Sequence, residues 1–276
     1  MGAVTDSNAF TDRSAIANDP VKQGFTAVVV AHPDDEALWL SSAIVGADRV
    51  IFCYGDLFER PRDSSARRAA VTALPLGRVL SLDVPESGVK TVVEWARPRL
   101  TESGIAIADP AARIRYEANY SRLESVLRQV LAGAATVYTH NPWGEYGHAE
   151  HIQVHRAVAS LQPELGYALW FSNYVSRKSW PLACNLSAQV SWTNRCCVAP
   201  DRNTARRLMR FYRRHGAWTW NATHRWPKRE TLYEIHPPGS PHPQFSMEGE
   251  WVLDVEKLCW WPPVLGPRHR RLRADV

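Results

Sequence analysis

A continuous run of apolar, mostly β-branched residues near the N-terminus limits the possible folds more than any other feature of the chain. The run spans residues 25–31 and reads FTAVVVA. Such a run is typical of a strand that is covered on both faces. It therefore predicts a parallel sheet inside an α/β domain rather than a half-exposed antiparallel sheet.

The same pattern recurs along the first 175 residues. Further strands are predicted at 50–54, 79–84, 135–139 and 167–174, and helices at 35–46, 63–73, 115–132 and 148–160. Strands that alternate with helices at this spacing indicate a doubly wound, mostly parallel, Rossmann-like α/β sheet with helices on both faces. In such sheets the ligand lies beyond the carboxyl ends of the strands.

Length and composition indicate one globular domain with a C-terminal extension. The chain has 276 residues, with 45% hydrophobic and 22% charged residues, which is an ordinary globular composition. Residues 1–23 look like a flexible polar arm. We expect one domain over 24–276, with a core at 24–175 and an extension at 176–276 that contains a helix near 203–215 and a strand at 231–235.

Cysteine usage and the N-terminal segment favour a cytoplasmic location. The five cysteines form no CxxC pair and no regular framework, so we expect free thiols. The N-terminus has no apolar run that would form a signal peptide. No segment approaches about 18 consecutive apolar residues, so no transmembrane helix is expected.

The first chemistry-bearing motif, AHPDDE, follows the first predicted strand directly. His32, Asp34 and Asp35 lie within four residues on a strand-to-helix turn. Zinc takes nitrogen and oxygen ligands, so His32 and Asp35 can bind one ion while Asp34 faces a bound water. The alternative is that Asp34 or Asp35 only caps the next helix and that His32 is incidental.

The second motif, GHAEH at 147–151, follows the fourth predicted strand. His148 and His151 are three residues apart at the start of a helix and share a face, as do His151 and His155. Alone, this motif also fits a helix that happens to be rich in histidine. The two motifs together supply three ligands of suitable type and two further polar groups, which is what metal-assisted hydrolysis needs.

AHPDDE followed about 115 residues later by GHxxH resembles the PIG-L/LmbE-like de-N-acetylases. The resemblance covers residues 24–175 and extends to LDVPESG at 82–88, which is similar to the family's LDxPDG. Two departures concern the exact subfamily: Ser41 and Ser42 stand where the family usually has a Gly-Gly pair, and HAEH replaces the common HPDH.

The resemblance implies a zinc-dependent hydrolase that removes an N-acetyl or other N-acyl group from an amino-sugar conjugate. It implies that His32, Asp35 and His151 bind zinc and that Asp34 is the general base. It also implies that His148 stabilises the oxyanion, which we expect it to do in its protonated form, and that Tyr146 assists.

Other residues are weaker candidates for the site, and other functions are alternatives to this prediction. Trp143 in the NPWGEYG loop is a candidate for stacking on a sugar ring, and His140 is a weaker candidate for the site. The rival functions are a metal hydrolase of another amide or an ester, and a non-catalytic carbohydrate-binding protein on the same fold. The Arg-rich segment at 203–215 raises a third, nucleic-acid binding, but no groove-reading motif supports it. We expect a small-molecule sugar conjugate as partner, no nucleic acid, and homo-oligomer formation as an option.

Overall fold

A seven-stranded mixed sheet forms the centre of the computed structural model, which describes residues 24–187, 192–236, 251–259 and 270–271. Its strands are β1 (Phe25–Val30), β2 (Arg49–Tyr54), β3 (Arg78–Val84), β6 (Ala134–Thr139), β7 (Ala168–Ser172), β9 (Trp192–Val198) and β10 (Glu230–Ile235). Their spatial order is β3-β2-β1-β6-β7-β10-β9. The predicted arm at 1–23 lies outside the described residues.

Five of the seven strands are parallel. β1 pairs with β2 and β6 in parallel, β2 with β3, and β6 with β7, whereas β10 is antiparallel to both β7 and β9. Short strands stand apart from this sheet: β4 (Leu100–Thr101), β5 (Gly104–Ile105), β8 (Tyr174–Val175), β11 (Trp251–Asp254) and β12 (Arg270–Arg271). The predicted mostly parallel α/β sheet is confirmed.

Helices cover both faces of the sheet. They are α1 (Asp35–Trp39), α2 (Pro61–Thr72), α3 (Pro110–Val130), α4 (Ala149–Leu165), α5 (Trp180–Ser187) and α6 (Arg202–Arg214), with 3₁₀ turns at Ile44–Gly46 and Lys257–Cys259. Along β1, Ala27 and Val29 point into the core under α3 and α4, whereas Val28 and Val30 point into the core under α1 and α6. The FTAVVVA run is therefore buried on both sides, as its composition predicts. None of the described helices is long and apolar enough to cross a membrane.

The structure corrects several predicted boundaries. The helix predicted at 35–46 ends at Trp39, because Leu40 leaves the helical conformation at φ −134° and a turn carries the chain back toward β2. The strand predicted at 167–174 breaks after Ser172. The C-terminal extension contributes β9 and β10 to the main sheet, and β9 had not been predicted. Cys53 and Cys197 are free thiols, as predicted, and the side chain of Cys259 lies outside the described part.

Candidate functional site

The six predicted site residues meet at the carboxyl ends of β1 and β6, which are neighbours in the sheet. His32, Asp34 and Asp35 follow β1, and Tyr146, His148 and His151 follow β6. The ring centroid of His32 lies 4.9 Å from that of His148 and 5.4 Å from that of His151. Tyr146 lies 5.7 Å from His148 and 5.3 Å from His151.

Asp35 lies between the two predicted histidine ligands. Its Oδ2 is 3.2 Å from His32 Nδ1 and 3.3 Å from His151 Nε2. Two ligands of a tetrahedral ion at about 2.0–2.1 Å are themselves about 3.3 Å apart, so each of these two separations suits a pair of ligands on one ion. The indole of Trp39 donates to Asp35 Oδ1 at 3.0 Å and fixes the orientation of the carboxylate.

His151 presents a lone pair to this point. Its Nδ1 lies 2.7 Å from Glu145 Oε2, and an imidazole beside a carboxylate donates its proton there. The Nε2 atom then carries the lone pair. This atom is buried, and it makes no hydrogen bond to the described residues. A buried acceptor without a donor is costly, and a metal ion would satisfy it.

In His32 the two ring nitrogens exchange roles relative to His151: Nε2 faces the supporting carboxylate and Nδ1 faces Asp35. Its Nε2 donates to Glu150 Oε2 at 3.0 Å, and Glu150 Oε1 accepts the backbone N–H of Ser87 at 2.6 Å. Burial opposes the charged form of His32, but the hydrogen bonds to Asp35 and Glu150 outweigh it and raise its pKa to about 10. The negative charge that raises this pKa would equally attract a divalent cation.

His140 supports the site instead of offering a ligand atom. Its Nε2 accepts the N–H of Ala31 at 2.8 Å, and its Nδ1 lies 3.1 Å from Glu145 Oε2. Both ring nitrogens are thus engaged, and the ring stacks on His151 at 3.9 Å. Burial opposes ionisation of Glu145, but His140 and His151 outweigh it and lower the pKa of this carboxyl to about 2.

Asp34 has a backbone conformation that aspartate rarely adopts. Its φ is +106°, and its N–H donates to Glu36 Oε2 at 3.0 Å. The carboxylate Oδ2 accepts two hydrogen bonds of 2.8 Å from Thr219, one from the backbone N–H and one from Oγ1. Burial and the neighbouring charge of Asp35 raise the pKa of Asp34 to about 7 despite these bonds.

His148 differs from the sequence-based mechanism in its protonation. It caps α4: its Nδ1 accepts the N–H of Glu150 at 3.3 Å, so Nε2 carries the ring proton. Burial and the nearby imidazoles of His151 and His32 hold the pKa of His148 well below its usual range. The expected imidazolium is therefore corrected to a neutral imidazole that can donate from Nε2.

The aromatic wall of the site also differs from the sequence prediction. Trp143 is fully buried and donates its indole N–H to the Tyr174 carbonyl at 2.7 Å, so it packs the core and cannot stack on a sugar. The half-buried Tyr146 and Trp220 face each other instead, with ring centroids 4.7 Å apart. Trp220 also contacts Trp39 at 5.2 Å.

Sequence reasoning missed Glu145, Thr219 and Trp220 and took Glu150 only as a motif variant. Glu145 and Glu150 had a usable signal, since each is a carboxylate within a few residues of a motif histidine. Thr219 and Trp220 had none, because they lie in a different segment 185 or more residues from Asp34.

Several donor groups could hold a metal ion. Among the described residues, atoms of His32, His148 and His151 lie within 4.8 Å of one another, as do those of Asp35, His140 and His151. The hydrogen bonds above occupy the acceptor nitrogens of His140 and His148. The donor chemistry and the unpartnered Nε2 of His151 fit a divalent ion.

Comparison of folds finds deacetylases. The zinc-inhibited form of teicoplanin deacetylase Orf2 superposes with a TM-score of 0.50 and 12% identity over 78% of this chain and 99% of that chain. The A40926 pseudoaglycone deacetylase Dbv21 gives a TM-score of 0.47 and 12% identity over 79% and 99%. No family model and no curated protein matches the sequence. The chain therefore shares the fold of teicoplanin deacetylase Orf2.

Proposed function

We propose that this protein is a metal-dependent N-deacetylase. One observation carries the proposal: Asp35 lies between two histidines that are each backed by a buried carboxylate, with Asp34 beside them. Carboxylate–histidine–metal arrangements of this kind hold catalytic zinc in hydrolases. Orf2, whose fold this chain shares, is itself a deacetylase.

We propose His32 Nδ1, Asp35 Oδ2 and His151 Nε2 as the ligands of zinc or a similar divalent metal. His140 Nε2 and His148 Nδ1 already accept hydrogen bonds from backbone N–H groups, so their lone pairs are not available to the ion. When bound, such an ion would lower the pKa of a coordinated water toward about 7 and polarise the acyl carbonyl.

The chain's own residues then move the protons. Asp34, whose pKa lies near 7, takes a proton from the attacking water and returns it to the leaving amine. Neutral His148 donates a hydrogen bond from Nε2 to the developing oxyanion. Tyr146 lies against both His148 and His151, which supports a proposed role in orienting the substrate.

The proposed substrate is an N-acetylated or N-acylated amino sugar within a larger conjugate. Tyr146 and Trp220 present two half-buried aromatic rings beside the candidate ligands, and such rings suit the apolar face of a sugar. Orf2 is a teicoplanin deacetylase. We extend only the general class, an N-acyl amino-sugar conjugate, to this chain.

The test measures acetate or free amine released from N-acetylglucosamine and from its nucleotide-, lipid- and glycopeptide-linked forms. Binding energy from the remote part of a true substrate should appear as higher kcat/KM on at least one conjugate. Asp34→Asn should keep the fold and the metal, and it should lower kcat by about 10²–10⁴-fold because it removes the general base.

Other outcomes would point to the rival functions. Hydrolysis of simple amides or esters, with N-acetyl sugars left intact, would indicate a different metal hydrolase. Tight sugar binding without turnover would indicate a carbohydrate-binding protein. Near-normal turnover by Asp34→Asn would show that another group is the base.

We also propose a cytoplasmic location, since the five cysteines form no regular disulfide framework in the sequence and Cys53 and Cys197 are free thiols. Cell fractionation tests the location, and size-exclusion chromatography with light scattering tests homo-oligomer formation.

A further inference from the structure

We infer that Thr219 is a positioning residue that fixes the carboxylate of Asp34 for proton transfer. The inference rests on the proposed function, because it assumes that Asp34 is the base. It gives the C-terminal extension a direct part in the reaction, in addition to its part in the sheet.

Thr219 holds one oxygen of Asp34 with two donors. Its backbone N–H and its Oγ1–H both reach Oδ2, each at 2.8 Å. Two donors on a single oxygen restrict rotation of the carboxyl group about its bond to Cβ. Because Oδ2 already accepts from both donors, we assign Oδ1 as the oxygen that accepts a proton from water.

The backbone of Asp34 needs this external support. With φ at +106°, Asp34 sits outside the regions that non-glycine residues favour, and the surrounding structure must hold it there. Glu36 accepts the Asp34 N–H at 3.0 Å, and Tyr212 on α6 donates to Glu36 at 2.8 Å. The segment from α6 to Thr219 thus holds both the backbone and the carboxylate of Asp34.

Packing does not explain these contacts. Thr219 is an exposed residue, whereas Ala217 just before it is buried and belongs to the core. The methyl and hydroxyl groups of an exposed threonine add little to stability. Loss of the hydroxyl should therefore affect the reaction more than the fold.

The test compares three variants of the full chain. Thr219→Val keeps the shape and the backbone donor but removes the hydroxyl donor, and Thr219→Ser restores that donor. Thr223→Val is the matched control, an exposed threonine nearby whose hydroxyl donates to Asn221 at 2.8 Å. The readouts are kcat and KM on the conjugate that is hydrolysed fastest in the panel above, bound metal by mass spectrometry, and thermal unfolding.

We expect Thr219→Val to lower kcat by about 10- to 100-fold with little change in KM, because misplacing a catalytic group by a small distance costs about this much. Thr219→Ser should recover most of the activity, and Thr223→Val should match the parent. Metal content and melting temperature should be unchanged in all three variants.

Several results would overturn the inference. These are parental kcat in Thr219→Val, an effect on KM alone, equal losses in the Val and Ser variants, or loss of metal or fold in Thr219→Val. Failure of the proposed function looks different. In that case Asp34→Asn retains near-normal turnover or the parent hydrolyses no member of the panel.

Discussion

At the scale of single residues, Glu145 and Glu150 do much to define the site. Glu145 accepts from His151 and also from the N–H of Asn141 at 2.9 Å. Glu150 accepts from His32 and from Ser87. Each carboxylate fixes which ring nitrogen of its histidine carries the proton, and each increases the basicity of the nitrogen opposite.

Glu145→Gln should weaken metal binding without unfolding the chain. The amide cannot accept from His140, His151 and the Asn141 N–H as the carboxylate does, so His151 loses its fixed tautomer. The metal dissociation constant should rise by about 10–100-fold, measured by competition with a chelator. Glu164→Gln, an exposed carboxylate on α4, is the control. An unchanged dissociation constant in Glu145→Gln would exclude this supporting role.

The buried carboxyl of Glu230 should make the stability of the protein depend on pH. Burial raises its pKa to about 7 from an ordinary value of 4.5, and Tyr174 donates to it at 2.6 Å. The folded state therefore keeps a proton that the unfolded chain releases. The stability that this carboxyl provides is fully present below pH 4.5 and is lost as the pH rises through about 7.

Glu230→Gln should remove this dependence, since a neutral amide still accepts from Tyr174. Relative to the parent, the variant should gain about 2–3 kcal/mol in unfolding free energy between pH 4.5 and pH 8. Urea denaturation of both proteins at several pH values measures the difference. A difference that does not vary with pH would show that Glu230 is ionised in the folded state.

At the scale of elements, the loop from β6 to α4 contains tight turns that position four site residues: His140, Glu145, Tyr146 and His148. Gly144 has φ +69°, and a Cβ there would lie 2.5 Å from the His148 carbonyl oxygen. The loop closes through Gly144 N–H to Asn141 and His148 N–H to Gly144. Only glycine meets both the conformational and the spatial demand.

Gly144→Ala should therefore destabilise the protein more than the same substitution at a glycine that has a positive φ but no close neighbour. Gly133 is the matched control, with φ +79° and no atom within 4 Å of a Cβ. We expect Gly144→Ala to cost about 1–3 kcal/mol more than Gly133→Ala, measured by urea unfolding. Equal costs would mean that the loop adjusts freely.

At the scale of the whole molecule, short patterns in the sequence predicted the elements and motifs that are formed by neighbouring residues. The buried strand runs predicted the parallel half of the sheet, and AHPDDE with GHAEH predicted which residues meet at its edge. The contacts of the C-terminal extension could not be predicted this way. Pairing of β9 with β10, and the reach of Thr219 to Asp34, depend on tertiary packing and leave no periodic signal.

Burial also determines which tryptophan reaches the site and whether His148 is charged, and residue type alone does not predict either. Trp143 and Trp220 are both loop tryptophans, yet only Trp220 reaches the site, because Trp143 faces Phe171 in the core. His148 was expected to be charged, but its enclosure beside two other imidazoles favours the neutral form. Neither outcome follows from the local sequence.

The central claim is that His32, Asp35 and His151 hold one divalent ion, and the metal content of matched variants tests it most directly. The parent should bind about one zinc per chain after reconstitution, as for a mononuclear site. His151→Ala should lose most of it while remaining folded. His215→Ala, which removes an imidazole whose Nδ1 lies 2.9 Å from the Phe211 carbonyl oxygen at the end of α6, should keep it. A folded His151→Ala protein with a full complement of zinc would contradict the account.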